Sequence, residues 1–155
     1  MSSALTRRGG RTDNAPMNPP PIDLGPLRKA QGWLTEALAL WHEQPVGSRL
    51  KPHLRSAVIQ SFEFSYELSL RGLRRVLIER AGSQDLVTEL SFIDLLRQAA
   101  DAGLLSDIDR WRGWRELRNA TSHAYDEAKA QQVAEGAERF LVDARQLLAA
   151  LEAAA

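Results

Sequence analysis

Arg118, Asn119, His123 and Tyr125 stand within eight residues of one another in the run Arg118-Asn119-Ala120-Thr121-Ser122-His123-Ala124-Tyr125-Asp126. A guanidinium that is always charged can hold a phosphate with paired donors. An imidazole, the side-chain type that titrates near neutral pH, can move a proton beside it. The Tyr125 hydroxyl is a group that can itself be modified, and Asn119 can orient either the imidazole or the phosphate. Five residues separate Arg118 from His123, which on an unbroken α-helix is a rotation of about 140°. One chain therefore brings them together only if it leaves the helix near Asn119, where Asn, Thr and Ser favour side-chain-to-backbone bonds. The alternative is that a second subunit completes the site.

The elements that position this run are helical. Leu27, Leu34, Leu38 and Trp41 recur at helical steps and stop before Gln44-Pro45-Val46-Gly47, which predicts a first helix ending near His42. Lys51-Pro52 opens a second, which continues to Ala81 with Gly82 as its stop. Leu54, Val58, Phe62, Tyr66, Leu70, Leu73 and Leu77 form one apolar stripe on it, and Ala57, Ser61, Phe64, Leu68 and Val76 a second. A helix apolar around so much of its circumference packs on more than one side. Ser91-Phe92-Ile93-Asp94 has the character of a capping box and opens a short helix closing at Gly103. Ser106-Asp107-Ile108-Asp109 repeats the device before a helix that carries Trp111, Trp114 and Leu117 up to the motif. Asp126 caps a last helix, Glu127 to about Ala153, whose buried face is Val133, Ala137, Phe140, Ala144 and Leu147. There is no strand signal. The expected fold is all-α, an antiparallel up-and-down bundle of four to five helices.

Residues 1–26 hold five of the seven prolines, Gly9, Gly10 and three arginines without hydrophobic periodicity. They read as a disordered tail ahead of a domain spanning 27–155. Met17, the only Met after Met1, offers a second start of translation.

Three segments together resemble a known family. Arg118, polar Asn119 and His123 fit the motif of the HEPN superfamily. More narrowly, Phe62-Glu63-Phe64-Ser65-Tyr66-Glu67-Leu68, Ala99-Ala100-Asp101-Ala102-Gly103-Leu104-Leu105 and the Arg-Asn-x-x-x-His-x-Tyr-Asp run are similar to the branch called nucleotidyltransferase substrate-binding proteins. That branch includes toxins paired with a minimal nucleotidyltransferase antitoxin, and the resemblance runs from about Leu27 to about Leu151. It implies a homodimer in which two Arg118 and two His123 line one cleft. The implied activity is RNA cleavage by attack of the ribose 2′-hydroxyl on the adjacent phosphorus, with one His123 as base, its mate as acid and Arg118 on the phosphate. It further implies that Tyr125 is adenylylated by the cognate nucleotidyltransferase, adding negative charge that repels phosphate. The other readings are a non-catalytic binding subunit serving the nucleotidyltransferase, and a helical oligomerisation domain with a chance motif.

Trp111, Arg115 and Arg118 share a face at four-then-three spacing, the interleaving of rings and charge that a single-stranded RNA path uses. Arg115 is otherwise a solvated charge or a dimer contact, and Trp114 and Leu117 belong to the core. Glu63 and Glu67, one turn apart among aromatic residues, read as a helix or subunit boundary before a metal site. Arg71, Arg74, Arg75 and Arg80 read as the solvated side of an amphipathic helix that can also meet RNA or the antitoxin.

Composition narrows the chemistry. In 155 residues, 44% are hydrophobic, enough for one core. Cys is absent, which removes disulfides, thiol nucleophiles and thiolate metal sites. The three His, at 42, 53 and 123, include no pair at the helical spacing of a zinc site, so the expected nuclease works without a metal or other cofactor. Twenty basic and twenty acidic residues cancel, so any RNA contact uses a local patch. No apolar run is long enough to span a bilayer and the first residues lack the apolar core of a signal peptide, which sets a cytoplasmic location as the expectation.

Overall fold

The computed structural model describes residues 21–155. Residues 1–20 of the tail expected over 1–26, and with them the second start at Met17, lie outside the described residues. Six α-helices follow in order: α1 Gly25–Glu43, α2 Lys51–Ala81, α3 Gln84–Thr88, α4 Phe92–Asp101, α5 Ile108–Ala120 and α6 Glu127–Ala154. A 3₁₀ turn, Thr121–His123, joins α5 to α6. The all-α expectation holds. The helix count exceeds it by α3, five residues too short to carry a periodic pattern.

Local chemistry sets the boundaries. Pro26 and Pro52 sit in the first turns of α1 and α2, where a missing N–H removes no helical bond. Gly82 ends α2 at φ 67°, a left-handed conformation that glycine adopts without a Cβ penalty. Ser91 Oγ accepts from the Asp94 N–H at 3.2 Å and donates to Asp94 Oδ2 at 2.9 Å, which closes the expected cap of α4. At α5 it is Asp107, not Ser106, that caps, accepting from the Arg110 N–H at 3.0 Å. Asp126 caps α6 through the Lys129 N–H at 3.0 Å.

α2 is the central element, touching α1, α3, α4, α5 and α6. α1 runs antiparallel to α6, as contacts from Arg28 to Glu152, Gln31 to the Ala144 carbonyl and His42 to Glu138 show. Aromatic packing puts Phe62 of α2 beside Phe140 of α6, while ten residues on Gly72 abuts Leu151, so α2 and α6 run parallel. α5 returns antiparallel to α6, Trp114 meeting Asp143 and Leu117 meeting Gly136. Phe140 is the centre of an aromatic cluster, with Phe62, Tyr66, Trp111 and Trp114 at centroid distances of 5.0, 6.5, 5.9 and 5.7 Å. Such edge-on pairs add to the area each ring removes from water.

Two expectations change. The packed chain begins before Leu27: Leu24 is buried and Ile22 lies against the core. The second apolar stripe of α2 is only partly internal, since Ser61 and Val76 are buried whereas Phe64 is 44% exposed and pairs edge-on with the exposed Trp33 of α1. Among the described residues no helix is long and apolar enough to cross a membrane.

Candidate catalytic site

Leu117 fixes the end of α5 against α6 at Gly136, where a Cβ would come within 2.6 Å of Leu117 Cδ2. The residue after it, Arg118, is thereby turned towards α2. Its Nε donates to Glu67 Oε1 at 3.1 Å, and Nη2 lies 3.5 Å from Glu63 Oε2. Nη1 donates to Thr121 Oγ1 at 2.8 Å, and that hydroxyl donates back to the Arg118 carbonyl at 2.7 Å. Two of the five N–H donors are thus in hydrogen bonds, and Nη2 faces Glu63 as an ion pair. The side chain of Arg118 is 30% exposed, so a ligand reaches it.

After Ala120 the chain tightens into the 3₁₀ turn, with Ser122 Oγ donating to the Asn119 carbonyl at 2.9 Å and the Asp126 N–H to the His123 carbonyl at 3.0 Å. At three residues per turn this segment carries His123 about 200° round from Arg118, further than the unbroken helix would. The departure from α-helix expected near Asn119 therefore occurs, at Thr121. His123 is exposed, its ring edge-on to Tyr125 at 6.3 Å, and among the described residues no hydrogen bond joins it to Arg118. Tyr125 is 86% exposed. Asn119 is exposed on the last turn of α5.

Arg115 lies one turn before Arg118 with its guanidinium 4.4 Å over the ring of Phe92 at the start of α4. Trp111 is 3% exposed and packs on Phe140, which takes its ring off the surface that an RNA strand could touch. Arg115, Arg118 and Asn119 line an open concavity of about 480 Å³ with Tyr66, Glu67, Leu70, Arg74 and Phe92. Burial raises the Tyr66 pKa above its ordinary value of 10.0. The fields of Arg115, Arg74 and Arg118 pull it down and Glu67 pushes it up, with Arg115 the largest of these four. The phenol is a neutral donor at neutral pH.

Sequence reasoning placed Glu63 and Glu67 at a packing boundary and did not see that they hold Arg118. Their one-turn spacing was the available signal, but the guanidinium they share lies 51 residues beyond Glu67. The other His residues are surface groups as expected, His42 pairing with Glu138 at 3.0 Å and His53 exposed.

The family described as nucleotidyltransferase substrate binding protein like matches residues 22–153. The chain belongs to this family, a branch of HEPN proteins. A curated relative from Haemophilus influenzae, named a probable ribonuclease HepT, is 41% identical over 95 residues, covering 61% of this chain and 65% of the relative, so the match spans just under two thirds of that protein. A solved structure, also from Haemophilus influenzae, superposes with a TM-score of 0.77 at 34% identity over 84% of this chain and 99% of that one. It is described as the fold of a substrate binding domain of a nucleotidyltransferase. The fold and family are those that the three sequence segments resemble.

Proposed function

We propose that this family member is a metal-independent endoribonuclease, the toxin of a toxin–antitoxin pair, acting on RNA in the cytoplasm and neutralised when a cognate nucleotidyltransferase adenylylates Tyr125. The observation that carries the reading is the placement of Arg118: two carboxylates and a hydroxyl fix it while its side chain stays 30% exposed, five residues ahead of an exposed His and seven ahead of an exposed Tyr. The relative named as a ribonuclease supports the same reading.

In the proposed reaction one imidazole removes the proton of a ribose 2′-hydroxyl. The O2′–P bond forms, the P–O5′ bond breaks, and a second imidazole protonates the departing oxygen, leaving a cyclic phosphate and a 5′-hydroxyl. Arg118 holds the phosphorane oxygens with paired charge-assisted bonds. A single chain has one such His, where the reaction needs both a base and an acid. A homodimer in which two motif turns meet on a two-fold axis supplies the missing acid. Adenylylated Tyr125 would place a phosphate beside His123, where it repels the substrate backbone.

The test is cleavage of mixed RNA in EDTA by unmodified protein, beside His123→Ala and Arg118→Ala at matched circular dichroism. Proton transfer of this kind contributes roughly 10² to 10⁴ in rate, so both variants should fall by at least that range with the fold kept. Cleavage that persists in both ends the assignment. The description of the family and of the solved structure favours a second reading, a non-catalytic substrate-binding subunit of a nucleotidyltransferase. It predicts a tight complex with that enzyme and no cleavage by the wild-type chain.

A further inference from the structure

On α2, Glu63, Glu67, Leu70 and Arg74 follow steps of four, three and four and so share one stripe, which faces the Arg115–Arg118 face of α5. The charges along this stripe are not balanced. Arg118 has Glu63 and Glu67, whereas among the described residues Arg74 and Arg115 form no ion pair. Three guanidinium groups and one carboxylate therefore line a concavity of about 480 Å³, in a chain whose formal net charge is zero. That volume falls within the roughly 300–1,000 Å³ of sites for small molecules. Tyr66, Leu70 and Phe92 contribute apolar and aromatic surface to the same hollow. The Arg115 guanidinium lies 4.4 Å over the Phe92 ring and the residue is exposed, so a base can reach this cation beside an aromatic ring.

We propose that this concavity, between α2, the start of α4 and the end of α5, is the subsite for the nucleotide adjoining the scissile bond, with Arg115 as the stacking platform and Arg74 as the contact to its far phosphate. The proposal rests on the ribonuclease reading and adds to it a substrate contact on α2, outside the Arg-His motif. It also explains why an electrically balanced molecule can hold a polyanion: the two arginines without carboxylate partners stand beside the one that has them. Stacking on a guanidinium tolerates every base, so the subsite should strengthen binding without choosing a sequence.

The experiment uses the full chain and two readouts, cleavage of a short RNA and fluorescence-anisotropy binding of an uncleavable 2′-O-methyl oligonucleotide across a salt series. Arg74→Gln should raise KM several-fold with kcat within about twofold, and should lower the slope of log affinity against log salt by about 0.7, the value for one single-strand phosphate. Arg115→Ala should weaken binding by roughly 5- to 100-fold, equally for oligonucleotides of different sequence. If wild type cleaves RNA and both variants bind and cleave as wild type does, the subsite is overturned while the ribonuclease reading stands. Should wild type fail to cleave but bind the 2′-O-methyl probe with an Arg74-dependent slope, the ribonuclease reading and the place beside a scissile bond both fall, and the concavity stands only as a binding site for single-stranded RNA. Absence of both cleavage and binding overturns the two together.

Discussion

Arg118, proposed to hold the phosphate, is fixed in place by two carboxylates. Exposed ion pairs contribute about 0–1 kcal/mol to stability, so Glu63 and Glu67 matter little to folding and much to where the guanidinium sits. Replacing both, Glu63→Ala with Glu67→Ala, should change unfolding free energy by less than about 1 kcal/mol in urea titration. The same pair of changes should lower kcat at least tenfold, because a misplacement of about 1 Å at a clamp can cost around 10² in rate. A double variant with undiminished kcat would remove their positioning role. Tyr125, 86% exposed and outside the core, offers a clean separation of modification from folding. Tyr125→Phe should unfold within about 0.5 kcal/mol of wild type, retain cleavage, and gain no mass when incubated with the nucleotidyltransferase and ATP. Mass gain on that variant would place the modification elsewhere.

At the scale of elements, the link between α5 and α6 determines whether the motif turn is presented at all. Asp143 of α6, nearly buried, accepts from Arg110 Nε and Trp114 Nε1, both at 2.7 Å. That hydrogen bond and the charge of Asp143 raise the Arg110 pKa further above its ordinary value. Asp143→Ala leaves the buried indole N–H without a partner, which should destabilise the protein by about 1–3 kcal/mol in urea unfolding. A loss under about 0.5 kcal/mol would show that water replaces the carboxylate. Tyr66 on α2 gives a pH signature. Its pKa is raised in the folded chain, so the folded state holds that proton more tightly than the unfolded state does. The contribution is fully present below pH 10.0, and it is lost as pH climbs through the folded value. Stability measured by chemical denaturation should accordingly fall more steeply above pH 10 in wild type than in Tyr66→Phe, where no phenol ionises. Equal slopes would mean that Tyr66 does not couple to folding.

For the whole molecule, the single motif His of one chain, where the proposed reaction needs both a base and an acid, is the reason to expect a pair of chains. Sedimentation should give a species at twice the 17.3 kDa chain mass, and dilution to monomer should abolish RNA cleavage. An active monomer would refute the composite site. The sequence by itself determined what is local. Pro52, Gly82, Ser91 and Asp126 mark helix ends through bonds and dihedrals within a few residues of themselves. Periodicity likewise found Leu34, Phe62, Leu73 and Phe140 in the core. Arg118, Asn119, His123 and Tyr125 were legible as candidates because a short motif carries all four. Tertiary packing alone decided which of the similar faces meets a neighbour. Trp111 is internal where it meets Phe140, and Phe64, equally apolar, is half outside against the exposed ring of Trp33. The same holds for Glu63, Glu67 and Arg74, whose meeting with Arg115 and Arg118 depends on how α5 lies across α2. A helix period specifies the angle of each side chain about its own axis, and it says nothing of the partner that axis will lie against.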